Sequence, residues 1–273
     1  MRIIGLANHK GGVAKTTTAV NLAASIAAIG RSVLLIDCDP QASASRWLGF
    51  EPASGRPFLE NVFAGDATLA ESTYPTKVER VSLVPSSSQL AVQDRLLAGK
   101  PAPAAVLLRA LRAAPASAFD YALLDSPPQL GMLACNVLAA SQELLIPLSP
   151  DPLSAAVLDE LFESVNTIRE WVNPDLRILG ILLVRVRNHT LLTREISAAL
   201  TARYAELILP VQVRETVRAA EAPARHLPLA AHCPGCSAAQ DYHRLAEFLL
   251  QREPPRPLAQ QPAVGDASPV DAP

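Results

Sequence analysis

Residues 8–21 read NHKGGVAKTTTAVN, a glycine-rich run followed by Lys-Thr and an apolar helical pattern. The run comes close to the phosphate-loop pattern GxxxxGK[ST] but departs from it twice, with His9 at the first glycine position and Ala14 at the second. Before it lies the apolar run 2–7 (RIIGLA), read as a strand. After it Val20, Leu22, Ala23, Ile26 and Ala27 recur at helical spacing. The run therefore fills a strand-to-helix turn, where backbone N–H groups and the positive end of the helix dipole point outward together and favour a polyphosphate. Lys15 matches the lysine on the β- and γ-phosphates, and Thr16 the hydroxyl on Mg²⁺. Gly11 and Gly12 remain where the backbone must pass close to phosphate. Should Ala14 need a positive φ, the cost is about 1–2 kcal/mol, which a domain gaining more from bound nucleotide tolerates.

Outward from the loop, short apolar runs alternate with longer helical patterns, the signature of βα units. Strands are expected at 2–7, 32–37, 81–85, 119–125, 142–148 and 177–186, and helices at 15–29, 102–114, 131–140, 153–172, 190–204 and 237–251. Segment 51–77, rich in Pro, Gly and Thr, reads as loops with one short helix. The expected fold class is α/β: a three-layer, doubly wound, mostly parallel sheet with helices on both faces. A single domain is expected over 1–251, followed by a Pro/Ala-rich disordered tail at 252–273.

The composition fits that class. The chain has 273 residues, enough for one large core, with 49% hydrophobic and 18% charged residues. The apolar start is cut short by Asn8, His9 and Lys10, so neither a signal peptide nor a membrane helix is expected, and a cytoplasmic location follows. A formal charge of −2 and a pI near 6.2 argue against nucleic-acid binding through bulk charge, so any DNA affinity needs a local patch. The four cysteines, at 38, 135, 233 and 236, would sit in a reducing compartment, where a disulfide framework is not expected. Only four lysines occur, and two of them, Lys10 and Lys15, lie in the opening loop.

Lys10 decides how the loop is read. KGGxxK[TS] resembles the deviant Walker A motif of the ParA/MinD family of ATPases. Three further blocks carry the same resemblance: VLLIDCDPQASAS (33–45), FDYALLDSPPQLG (119–131), which is similar to a Walker B segment, and VRAAEAPARHLP (217–228). Together they cover about residues 1–250 in the family's order, and the likeness is nearest to partition ATPases of the ParA/Soj type.

The resemblance implies a P-loop NTPase fold of deviant Walker A type, with ATP and Mg²⁺ as cofactors. It places ATP on Lys10, Gly11, Gly12, Val13, Ala14, Lys15, Thr16 and Thr17. It gives catalytic roles to Lys10, Lys15 and Asp39, and Mg²⁺ contacts to Thr16, Asp39 and Asp125. Within that scheme Lys10 reaches across a dimer interface to the partner's nucleotide, Asp39 orients the attacking water, and Asp37 is a structural partner. A second ammonium beside a triphosphate offsets charge developing during transfer.

The family further implies an ATP-dependent homodimer, non-specific DNA binding, and a ParB-like centromere-binding partner that stimulates slow hydrolysis. DNA contacts carry over best to Arg218; at the other family position His189 stands where an arginine is usual, with Arg185 and Arg187 close by as substitutes. The CxxC at 233–236, near His232 and His243, reads as a loop with two free thiols in preference to a zinc site. Alternatives are an ATP-locked DNA-binding scaffold, or a positioning ATPase for a protein cargo. A MinD-like membrane cycle would need a basic amphipathic C-terminal helix that residues 252–273 do not supply. Because the chain begins almost at the loop, sequence-specific operator binding is not expected either.

Overall fold

In a computed structural model of the chain, the apolar runs become strands buried on both faces, as a parallel sheet covered by helices requires. Residues 1–51, 55–99, 101–114, 118–129, 131–187 and 190–252 are described. In chain order the first half runs β1 (Arg2–Leu6), α1 (Lys15–Ala28), β2 (Val33–Asp37), α2 (Ser43–Trp47), α3 (Leu59–Ala64), β3 (Tyr74–Pro75), β4 (Val81–Val84) and α4 (Leu90–Leu97). A 3₁₀ turn at Pro103–Ala105 then leads into α5 (Val106–Ala113), β5 (Tyr121–Asp125), α6 (Met132–Ala140), β6 (Glu143–Leu148), α7 (Ser154–Trp171) and β7 (Arg177–Leu183). The last elements are α8 (Leu191–Arg203), α9 (Arg218–Glu221), a second 3₁₀ turn at Ala222–Arg225, α10 (Leu229–His232) and α11 (Ser237–Gln251).

Among the described residues the strands form one seven-stranded sheet in the order β3-β4-β2-β5-β1-β6-β7, in which only the edge strand β3 runs antiparallel. Parallel neighbours need crossovers, and the helices supply them on both faces. Successive side chains of a strand face opposite ways. Ile4 and Leu6 of β1 thus join a core with Leu22 and Ile26 of α1 and Tyr242 and Leu245 of α11, while Ile3 joins a second core with Phe63, Leu107 and Val137. A third cluster closes β6 and β7 against Leu158 and Leu161 of α7.

This is the three-layer architecture expected. The helix anticipated within 51–77 is α3; β3, α2 and α4 were not anticipated. The strand expected to reach 186 ends at Leu183, and the helix expected from 102 begins as a 3₁₀ turn because Pro101 and Pro103 withhold backbone donors. Of the tail expected over 252–273, residues 253–273 lie outside the described residues.

Register sets the functional edge. Asp125 at the carboxyl end of β5 is in register with Leu6 of β1 on one side and Asp37 of β2 on the other, so two carboxylates stand in one row beside the loop that follows β1. In doubly wound sheets this edge, where the chain departs in both directions, is where ligands bind.

Candidate active site

The loop is anchored at its base before it turns. Asn8 donates from Nδ2 to the Pro147 carbonyl at 2.7 Å, while its Oδ1 accepts the Lys10 N–H at 2.9 Å. Gly12 has φ +74°, and Ala14, at the helix N-cap, has φ 57° and ψ 30°. The positive φ considered for Ala14 is therefore present: the site keeps the left-handed corner that glycine usually occupies. No side chain caps α1, so the first N–H groups of the helix face the cleft without a protein side-chain acceptor, as an anion site requires.

Lys15 folds back over this loop and donates to the carbonyls of Asn8 at 3.1 Å and Lys10 at 3.3 Å. It is 7% exposed. Burial lowers its pKa, and Asp125 and Asp39 pull it back up. Lys10 goes elsewhere: its Nζ meets Asp151 Oδ2 at 2.6 Å, ahead of α7, and it does not line the cleft above the loop.

The three carboxylates have separate surroundings. Asp37 accepts the N–H (2.8 Å) and Oγ–H (2.7 Å) of Ser45 and the N–H of Asp39 (3.2 Å), so it holds the start of α2 and the turn to Asp39. Its complete burial pushes its pKa up to about 6 against those hydrogen bonds. This is the structural role expected of it. Asp39 accepts the Gln41 N–H at 2.8 Å and lines the cleft; burial raises its pKa, opposed by that hydrogen bond and by Lys15.

Asp125 is fully buried, and neither of its oxygens has a partner in hydrogen-bonding geometry. Burial and then the Asp37 charge push its pKa well up, with Thr16 and Lys15 acting in the other direction. An unpartnered buried carboxylate facing a threonine hydroxyl and a lysine is a costly arrangement unless a cation or its water completes it. Thr16, Asp39 and Asp125 thus form a donor set that fits Mg²⁺ beside phosphate.

Over the loop opens a cleft of about 1220 Å³, ample for a nucleotide. One wall is Gly11, Gly12, Lys15, Thr16 and Asp39; another is Arg185, Arg187 and Arg214–Val217. That second wall exists because the segment after α8 runs alongside β7, through bridges Ile181–Ile208 and Val186–Arg214. Glu215 there pairs with both Arg187 and Arg185, and Arg185 Nη1 donates to the Gly12 carbonyl at 3.2 Å. Arg185 and Arg187, read from the sequence as DNA contacts, therefore stand in the cleft wall. Arg218 lies apart from the cleft lining, exposed on α9 and paired with Glu221 at 2.8 Å. His189 is outside the described residues.

The thiol expectation needs correcting. Cys233 and Cys236 are joined as a disulfide across the turn between α10 and α11, their Cα atoms 5.5 Å apart. His232 and His243 pair with Glu221 and Glu247, and among the described residues no group of three or more His, Cys, Asp or Glu could hold a metal ion. Sequence reasoning missed Glu215 and Asp151. The only available signal for Asp151 was its position just before Ser154 at the start of a helix.

Residues 1–178 match the AAA domain family. The chain is 36% identical over 252 residues to the chromosome-partitioning ATPase Soj of Thermus thermophilus, covering 92% of this chain and 96% of that one. It is 31% identical over 255 residues to the chromosome partitioning protein ParA of Caulobacter vibrioides, covering 93% and 95%. Among solved structures, cobyrinic acid a,c-diamide synthase from Mycobacterium smegmatis with a bound ATP analogue and magnesium superposes with a TM-score of 0.81 at 29% identity, covering 92% of this chain and 95% of that one.

Proposed function

We propose, from the premise that this chain belongs to the ParA/MinD family of P-loop ATPases, that it is a partition ATPase whose ATP-bound form is a DNA-binding homodimer. Each subunit holds one ATP on residues 10–17 with Mg²⁺, and Lys10 of each contacts the nucleotide of the other. The dimer binds DNA non-specifically, and a ParB-like partner stimulates its slow hydrolysis and so its release.

The observation that carries this reading is the divergence of the two loop lysines. Lys15 is buried over its own loop, whereas Lys10 points away from the cleft lining toward Asp151. A single-subunit site has no use for the second ammonium there. A facing copy does.

The residues divide the work by position. Lys15 and the uncapped N–H groups of α1 hold the phosphates. Thr16, Asp39 and Asp125 hold Mg²⁺, which neutralises phosphate charge when bound. Asp39, at the cleft, accepts from and orients the attacking water. Arg185 and Arg187 face the nucleotide cleft, so within this proposal Arg218 is the main DNA contact of the three and the two cleft arginines are secondary. Ala14 already adopts the left-handed corner, which favours a working loop over an ATP-locked scaffold. Among the described residues no helix is long and apolar enough to cross a membrane.

The test is co-sedimentation with DNA in ATP against ADP at two salt concentrations. ATP-dependent binding that weakens steeply with salt is the expected result. Equal binding in both nucleotides overturns the reading.

A further inference from the structure

We propose that Asp151 is a positioning residue for Lys10: it holds the ammonium in the uncombined subunit and must release it before a second copy can assemble. The inference rests on the reading that Lys10 serves the partner's nucleotide.

The Lys10 side chain is 37% exposed and that of Asp151 27%, with Nζ and Oδ2 2.6 Å apart. Both residues that carry the pair are held by hydrogen bonds on their backbone sides. The Lys10 backbone is tied through Asn8 to the Pro147 carbonyl. Asp151 is tied three ways to the start of α7: its Oδ1 accepts the Leu153 N–H at 3.1 Å, its own N–H donates to Ser154 Oγ at 3.0 Å, and its carbonyl accepts the Ser154 N–H at 3.0 Å; Ser154 Oγ in turn donates to the Ser149 carbonyl at 2.7 Å. The Lys10 ammonium is carried on four methylenes and is partly exposed, so it can leave Asp151 by side-chain rotation.

Electrostatics gives the direction of the effect. While paired, Lys10 and Asp151 present no net charge to a triphosphate approaching from another subunit, and the carboxylate itself repels it. In a closing interface that drives out water this repulsion grows. Release is also reversible, because Asp151 stays satisfied afterwards by the Leu153 N–H and the positive end of the 18-residue helix α7. Asp151 therefore raises the protein concentration at which ATP drives dimerisation and keeps solitary subunits apart. A two-fold dimer would release two such pairs.

The experiment is sedimentation velocity of the full chain with ATPγS and Mg²⁺ over a range of protein concentrations, on wild type, Asp151→Asn, Lys10→Ala and the double variant. Asn keeps the Oδ1 acceptor for the Leu153 N–H ahead of α7; Asp151→Ser, whose hydroxyl can accept the same kind of local N–H bond, is the second variant should Asn fail to fold by circular dichroism. Releasing two half-exposed pairs should let Asp151→Asn dimerise at about fivefold lower concentration. Binding of a fluorescent ATP analogue to dilute monomer should stay unchanged, and the gain should vanish when Lys10 is alanine. The proposal is overturned if Asp151→Asn and Asp151→Ser dimerise at wild-type concentration or above, or if the gain persists without Lys10. If instead Lys10→Ala dimerises like wild type, the cross-subunit reading itself has failed.

Discussion

Asp241 of α11 accepts three hydrogen bonds from Arg214 of the cleft wall, from its backbone N–H at 3.0 Å, Nε at 2.9 Å and Nη2 at 2.8 Å. The carboxylate side chain is 1% exposed and the guanidinium 38%. Since α11 packs on α1, with Tyr242 and Thr18 joined at 3.2 Å, this pair fastens the wall to the helix that starts at the phosphate loop.

Asp241→Asn should therefore lower stability by about 3 kcal/mol, the low end for breaking a buried pair because Arg214 stays partly solvated. Burial pushes the Asp241 pKa up, but the hydrogen bonds from Arg214 and Arg244 outweigh it and leave the value depressed. A depressed carboxylate stabilises the fold above its unfolded pKa of about 4, and that contribution is lost as pH falls through the folded value. Denaturant titrations at pH 7 and pH 3 check both: the gap between wild type and Asp241→Asn should be smaller at pH 3 than at pH 7.

Ala14 sits at φ 57° without the freedom glycine would have there. Ala14→Gly should stabilise the nucleotide-free protein by about 1 kcal/mol, relief of the left-handed strain exceeding the backbone entropy glycine adds to the unfolded chain. Ala14→Val, branched at Cβ, should destabilise it by about 2 kcal/mol. Urea midpoints decide; an unaltered midpoint in both variants would mean the corner carries no strain.

What could be read in the sequence follows from where the information lies. β1, β2, β5 and β6 are buried on both faces, so their apolar runs mark them plainly. α2 is five residues, SASRW, too short for an apolar period; Asp37 holds it through Ser45. In α4, Leu90 and Leu97 are buried while Val92 and Leu96 are exposed, so no single apolar stripe marks it. β3 is two residues with a proline, at home only on a sheet edge. In the site, the lysines and carboxylates follow strand ends and were legible. The cleft wall was not: Arg187 reads as a surface cation until Glu215, from the segment alongside β7, is beside it.

Lys15→Ala and Lys10→Ala should separate two functions. Loss of the buried Lys15 ammonium should weaken ATP binding about 100-fold, the value of a strong charged hydrogen bond of about 3 kcal/mol. Lys10→Ala should bind ATP within a few-fold of wild type as a monomer, yet fail to dimerise or hydrolyse it. Calorimetric titration and sedimentation measure the two outcomes, and identical behaviour of the variants would refute the division.

Arg218 is exposed, so Arg218→Ala should leave stability within about 0.5 kcal/mol of wild type. On DNA it should act differently. If the side chain neutralises a phosphate, the slope of log K against log salt should become shallower by about 1 for each subunit of the dimer. A uniform loss of affinity with an unchanged slope would place the DNA contact elsewhere.

Asp39→Ala is the sharpest test of the catalytic assignment. Asp39 lines the cleft, accepts the Gln41 N–H, and carries a pKa raised by its burial, so removing it takes away a carboxylate the fold is not stabilised by ionising. Lys15, Thr16 and the uncapped N–H groups of α1 remain, so ATP should still bind and the dimer should still form. Without a group to orient water, partner-stimulated hydrolysis should fall about 100-fold, and release from DNA should fall with it. In a chase with excess unlabelled DNA, the variant with ATP should remain bound long after wild type has dissociated, while with ADP both should leave at once. Rapid release of Asp39→Ala in ATP would mean either that another group positions the water or that release does not depend on hydrolysis; the turnover rate measured alongside tells which.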